Sequence, residues 1–171
     1  CTGIEFDHAD IFKDVHAIEA AFEKLISKST EGWVLVDDAS SPRAESLKNL
    51  PSVCVKKGIK IVRYGFDPKS AYSISKVEAE RNPRRSDEIG SRIYMKIPGW
   101  GEQSFFTTTI GRHNALNICG VLATLKESGE LTRPEDLQEA LFNFQGIKRR
   151  QDEVYRSNEL IVIGDFAHHP T

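Results

Sequence analysis

Trp33-Val34-Leu35-Val36 is a short unbroken apolar run, closed by Gly32 on one side and by Asp37-Asp38 on the other. A run with no polar alternation predicts a strand buried on both faces, which requires helices above and below it. The flanking sequence supplies them. From Asp14, the residues Val15, Ile18, Phe22, Leu25 and Ile26 recur at helical spacing to about Lys28, with Asp14 placed to cap the first turn. Ser41-Pro42 predicts the start of a second helix carrying Ala44, Leu47 and Leu50, with Pro51 marking its stop. Residues 59–66 predict the next strand. An order of helix, strand, helix, strand predicts an α/β fold with a parallel sheet and helical crossovers.

The pattern then changes. Residues 71–80, 91–97 and 103–110 are β-prone with no helix between them, separated by Arg81-Asn82-Pro83-Arg84-Arg85 and Pro98-Gly99-Trp100-Gly101, and predict antiparallel strands. Helical spacing returns after Gly111 through Leu116, Ile118, Val121, Leu122 and Leu125 to a terminating Gly129, and again from Pro134 through Leu137, Ala140 and Leu141. Residues 151–157 and 159–164 predict a hairpin turning at Ser157-Asn158.

With 171 residues, 39% hydrophobic and 28% charged, the chain can bury a core as one domain or as a domain plus a fragment. A formal net charge of -2 gives no basic field for nucleic acid, and no apolar run approaches the roughly 20 residues that span a bilayer. Neither nucleic acid nor membrane is implied as a partner. Cys1, Cys54 and Cys119 are an odd number without CxxC spacing, so no disulfide framework or zinc knuckle is predicted, and a reducing cytoplasm fits. The opening residues are neither basic nor a long apolar run, so no secretory signal is visible. Because the first residue is Cys1, the N-terminus is expected to be cut or processed.

Four strings carry chemistry. Asp7-His8-Ala9-Asp10 places two carboxylates and an imidazole just before a helix. On spacing alone, Asp10 is a loop carboxylate near a positive helix end and His8 a satisfied loop histidine. In Gly111-Arg112-His113-Asn114-Ala115-Leu116-Asn117 a glycine opens a helix, and two asparagines three residues apart share a face. Such amides serve as caps, or as paired donor and acceptor for a purine edge. Lys148-Arg149-Arg150 is either a solvated run or an anion grip, since guanidinium presents a planar fork of donors. Asp165 follows the apolar run Leu160-Ile161-Val162-Ile163, at a carboxyl end where α/β sheets place ligands. His168-His169 lack the i, i+4 spacing of a helical zinc site. A metal-dependent hydrolase built on Asp7, His8, Asp10, His168 and His169 is the rival reading.

Taken together, Glu5-Phe6-Asp7-His8-Ala9-Asp10, the Gly-x-His-Asn-x-x-Asn pattern at residues 111–117, Lys148-Arg149-Arg150 and Asp165-Phe166-Ala167-His168-His169-Pro170-Thr171 resemble the Mur ligase family. These are ATP-dependent amide-bond formers of peptidoglycan metabolism, and the resemblance spans nearly the whole chain. It implies an α/β fold, part of a mostly parallel, helix-flanked central domain with a small antiparallel subsheet. Residues 1–147 are expected to be the later part of the ATP-binding domain, and 148–171 the linker and first strands of a C-terminal domain.

By the same resemblance, His8 binds magnesium, Asn117 contacts adenine, Asn114 with His113 shapes the turn of the nucleotide site, Arg150 contacts ATP phosphate, and Asp165 holds the ribose hydroxyls. His8 and Arg150 are thereby the catalytic candidates. Where several family members carry a carbamoylated lysine, this chain has Glu23 beside Lys24. The implied cofactors are ATP and Mg2+. The implied reaction joins UDP-N-acetylmuramate to the murein tripeptide L-alanyl-γ-D-glutamyl-meso-diaminopimelate through an acyl phosphate, in cell-wall recycling. Alternatives are L-alanine as the amine, or a non-catalytic nucleotide-binding module. No Gly-Lys-Thr or Gly-Lys-Ser occurs, so the phosphate loop is expected upstream and the chain alone is expected to be inactive.

Overall fold

The structure, a computed structural model, describes residues 4, 6, 8–30, 32–36, 50–144, 146, 147 and 152–165. Asp14 has extended backbone, and its Oδ1 accepts from the Ala17 N–H at 2.9 Å. That cap opens α1 (Val15–Ser27), which buries Ile18 and Ile26 as its apolar spacing requires. β1 (Trp33–Val36) then pairs in parallel with β2 (Ile61–Gly65), from Trp33 opposite Ile61 to Val36 opposite Tyr64.

Between these strands lies α2 (Leu50–Lys56). The helix predicted from Ser41 to a stop at Pro51 falls outside the described residues up to Leu50, and Pro51 itself stands second in α2. A first-turn amide has no intrahelical acceptor, so a proline's missing N–H is harmless there.

β2 pairs in parallel with β3 (Tyr72–Asn82) through Tyr64/Tyr72 and Gly65/Ser73. β3 then runs antiparallel to β4 (Arg85–Ile97), and β4 antiparallel to β5 (Gly101–Thr107). The parallel and antiparallel strands are therefore one mixed sheet, in the order β1-β2-β3-β4-β5. β4 starts six residues before the predicted run at 91, in a stretch too polar to look β-prone. Polar contacts bring it in: Asn82 Nδ2 donates to Glu88 at 2.8 Å, Arg81 to the Ser86 carbonyl at 3.0 Å, and Arg85 to Glu88 at 2.9 Å.

Ile93, Met95 and Ile97 alternate onto one face of β4 and are fully buried. They share a core with Tyr64, Tyr72 and Phe105, and with Ala115, Cys119, Leu122 and Ala123 of α3 (Arg112–Glu127). α3 contacts β1, β2 and β3. Gly129, at φ 80, follows its end as predicted.

α4 (Pro134–Asn143) packs on β5, where Phe142 stacks on the buried Phe106 at a centroid distance of 5.6 Å. β6 (Asp152–Arg156) and β7 (Ile161–Gly164) form a separate two-stranded antiparallel sheet. Their turn runs from Ser157 to Leu160, with the Ser157 N–H donating to the Leu160 carbonyl at 2.8 Å. Among the described residues no helix is long and apolar enough to cross a membrane.

Candidate functional site

The start of α3 stands at the carboxyl end of β2. β2 closes at Gly65, Phe66 follows, and the Arg112 guanidinium carbon lies 3.6 Å from the centre of the Phe66 ring. Gly111 opens the helix at φ 98, where a side chain would be strained, and it provides no side-chain cap. The first-turn amides thus have no cap of their own.

The two asparagines have separate settings. Asn114 Nδ2 donates back to the Ile110 carbonyl at 2.7 Å, which fixes the entry turn. Asn117, nearly one turn on, is exposed, and its amide makes no hydrogen bond within the described residues. One amide is committed to the turn; the other faces outward.

His8 adopts φ 54, and its carbonyl accepts from the amides of Ile11 and Phe12 at 2.8 and 2.9 Å. It is exposed, as is Asp10. The nearby Asp14 is spent on the α1 cap. Among the described residues no group of three His, Cys, Asp or Glu side chains stands together to hold a metal ion. Asp165 is exposed just past β7. It does lie at a carboxyl end, but of an antiparallel ribbon and not of the parallel sheet. Asp7, Lys148, Arg149, Arg150, His168 and His169 lie outside the described residues. Asn114 and Asn117 are thus brought together on α3, while His8 precedes α1 and Asp165 follows the separate ribbon.

Sequence reasoning left two residues at this crest unassigned, Phe66 and Arg112. Their signal is positional: Phe66 directly follows a parallel strand, and Arg112 follows the helix-opening glycine. Deeper in, burial pushes the Cys119 thiol up to about 12, so it is inert and not a nucleophile. Elsewhere, a shallow groove of about 330 Å³ is lined by Ser75, Lys76, Tyr94, Glu102, Gln103 and Ser104, none of them a predicted site residue.

Residues 1–125 match the family model described as the Mur ligase middle domain. The chain belongs to the Mur ligase family. A Mur ligase relative, the UDP-N-acetylmuramate–L-alanine ligase of Acidothermus cellulolyticus, is 29% identical over 170 residues, covering 99% of this chain and 33% of its own. Among solved structures, the UDP-N-acetylmuramate-alanine ligase MurC of Thermotoga maritima superposes with a TM-score of 0.68 at 23% identity, over 97% of this chain and 34% of that one. MurF of Acinetobacter baumannii gives 0.68 at 19% identity, over 95% and 32%. The Mur ligase fold is thereby established for this chain, which spans about a third of the length of the relatives it matches.

Proposed function

We propose that this chain is the nucleoside-binding part of an ATP-dependent ligase that joins UDP-N-acetylmuramate to the murein tripeptide L-alanyl-γ-D-glutamyl-meso-diaminopimelate. The observation that carries the ligase reading is the entry of α3: the Gly-x-His-Asn-x-x-Asn pattern lies at the carboxyl end of a parallel strand, with Asn117 exposed and Asn114 holding the turn.

Bound ATP would supply the phosphoryl group that converts the muramate carboxylate into an acyl phosphate, open to attack by the peptide amine. This chain's own groups would bind and orient. The Asn117 amide offers a donor and an acceptor to the adenine edge, and the Asp165 carboxylate accepts from ribose hydroxyls. Arg150 presents its fork of donors to phosphate oxygens. His8 is the residue that the resemblance assigns to magnesium, an ion that prefers a shell of oxygens. The described residues do not complete such a shell around His8. In this reading residues 1–147 belong to the ATP-binding domain and 148–171 lead into the C-terminal one. The buried free thiols Cys54 and Cys119 suit a cytoplasmic setting.

The tripeptide is favoured by the likeness of residues 5–12 and 165–171 to that member of the family. L-alanine as the amine is favoured by the relatives matched over 99% of the chain, which bear that name. Phosphate release by the full-length protein, with ATP, UDP-N-acetylmuramate and each amine in turn, separates the two. A higher kcat/KM with the tripeptide is expected. A higher value with L-alanine would select the second reading, and no release with either would remove the ligase reading.

A further inference from the structure

Arg112 fills a variable place of the Gly-x-His-Asn-x-x-Asn pattern and Phe66 lies outside it, yet together they join that turn to the sheet. The 3.6 Å separation of guanidinium carbon and ring centre places the cation on the aromatic face. Phe66 is partly buried and packs against the core, so its ring is a fixed platform. Arg112 differs from Arg84, Arg85, Arg92, Arg133 and Arg156, each of which pairs with a carboxylate. No carboxylate among the described residues pairs with Arg112, which stacks on the Phe66 ring instead.

The two contacts at the start of α3 do different things. Asn114 bonds the Ile110 carbonyl just ahead of the helix, so this contact shapes the entry turn without tying α3 to the sheet. Phe66 directly follows β2 and packs against the core, so the Arg112 contact ties α3 to the sheet and resists rotation. At 3.6 residues per turn, Arg112 and Asn117 point about 140° apart around the axis. Pinning one aims the other.

We propose that Arg112, stacked on Phe66, is a positioning residue for nucleoside recognition, setting the rotation of α3 so that Asn117 meets the base. This rests on the reading that Asn117 contacts the base. The test uses the full-length protein with ATP and GTP, in the variants Arg112→Ala, Phe66→Leu, their double, Phe66→Tyr and Asn117→Ala. Arg112→Ala and Phe66→Leu should each raise the KM for ATP about 3- to 10-fold, with kcat held and discrimination against GTP reduced, and Arg112→Ala, at an exposed position, should also hold the melting temperature. The double variant should be no worse than the singles, because both remove one contact. Phe66→Tyr, which keeps the ring, should behave as the parent.

If Asn117→Ala raises the KM and Arg112→Ala does not, the positioning role falls while the nucleoside site stands. If Asn117→Ala is silent, the nucleoside reading falls and takes this proposal with it. Parallel losses in kcat and melting temperature, or additive effects in the double variant, would reduce the stack to support of the fold. Should Phe66→Leu fail to fold, Arg112→Ala, at an exposed position, decides alone.

Discussion

Gly90 sits in β4 where β5 passes closest, and a Cβ there would stand 2.1 Å from the Thr107 carbonyl oxygen and 2.7 Å from the Phe106 ring. Neither neighbour yields easily: one is backbone, and the other is fully buried. Gly90→Ala is therefore expected to cost about 1–3 kcal/mol, as overpacking does, and to show as a lower urea midpoint with activity retained below it. At Asn117 the expectation is reversed. An exposed amide with no partner among the described residues carries little stability, so Asn117→Ala should leave the melting temperature in place. The same change should raise the apparent KM for ATP by about 1–3 kcal/mol and weaken discrimination against GTP, as for a bound polar group left unpaired. Asp165→Ala should instead erode the preference for ATP over its 2′,3′-dideoxy analogue. Steady-state kinetics of both variants with both analogues checks the pair. Equal losses for every nucleotide would make these residues structural.

β5 is an edge strand of the described sheet, and Gln138 of α4 closes part of that edge. Its Oε1 accepts from the Phe106 N–H at 2.9 Å and its Nε2 donates to the Phe106 carbonyl at 2.9 Å, so one side-chain amide stands in for a neighbouring strand. Gln138→Leu keeps most of the volume but leaves both backbone groups unpaired. A loss of about 1–3 kcal/mol is expected, with faster hydrogen exchange at the Phe106 amide. An unchanged exchange rate at Phe106 would show that the seal is unimportant. No sequence signal announces this contact, because Gln138 reads as a polar helix position until β5 is packed beneath it. The same limit explains the early start of β4: its polar first residues are held by Asn82 and Arg81, partners on the adjoining strand. Local chemistry was legible, as in the Asp14 cap, the Gly129 terminus and the unbroken run of β1. Pro51 reads as the end of one helix, yet a proline also suits a helix start, and it stands in the first turn of α2. The common place of Asn114 and Asn117 on one helix was legible from their spacing, whereas the Arg112–Phe66 contact joins residues 46 positions apart and needs the fold to exist first.

At the scale of the whole sheet, α3 is held across β1, β2 and β3 through three buried groups that are neutral at ordinary pH. Burial pushes the Cys119 thiol from 9.0 up to about 12, opposed in part by a backbone hydrogen bond at Gly65. Burial likewise lifts Tyr64 from 10.0 to about 12, with the neighbouring thiol adding to the rise. Tyr72 is raised further still, first by burial and then by the hydrogen bond that its hydroxyl donates to Glu127 at 2.9 Å. In each case the folded chain keeps its proton at a pH where the unfolded chain has lost it. This contribution is fully present below about pH 9, and stability falls as pH climbs through 12. The urea midpoint of the middle domain's transition, followed in the full-length protein by near-ultraviolet circular dichroism, should be flat from pH 7 to about 9 and then fall. Cys119→Ala removes the lowest of the three unfolded-state pKa values. In that variant the fall between pH 9 and 10 should be shallower, with only the buried Cys54 thiol left to drive it, and should steepen nearer pH 10, where the unfolded tyrosines start to ionise. A midpoint that holds steady from pH 8 to 11 in the parent would mean that α3 does not depend on these three protons.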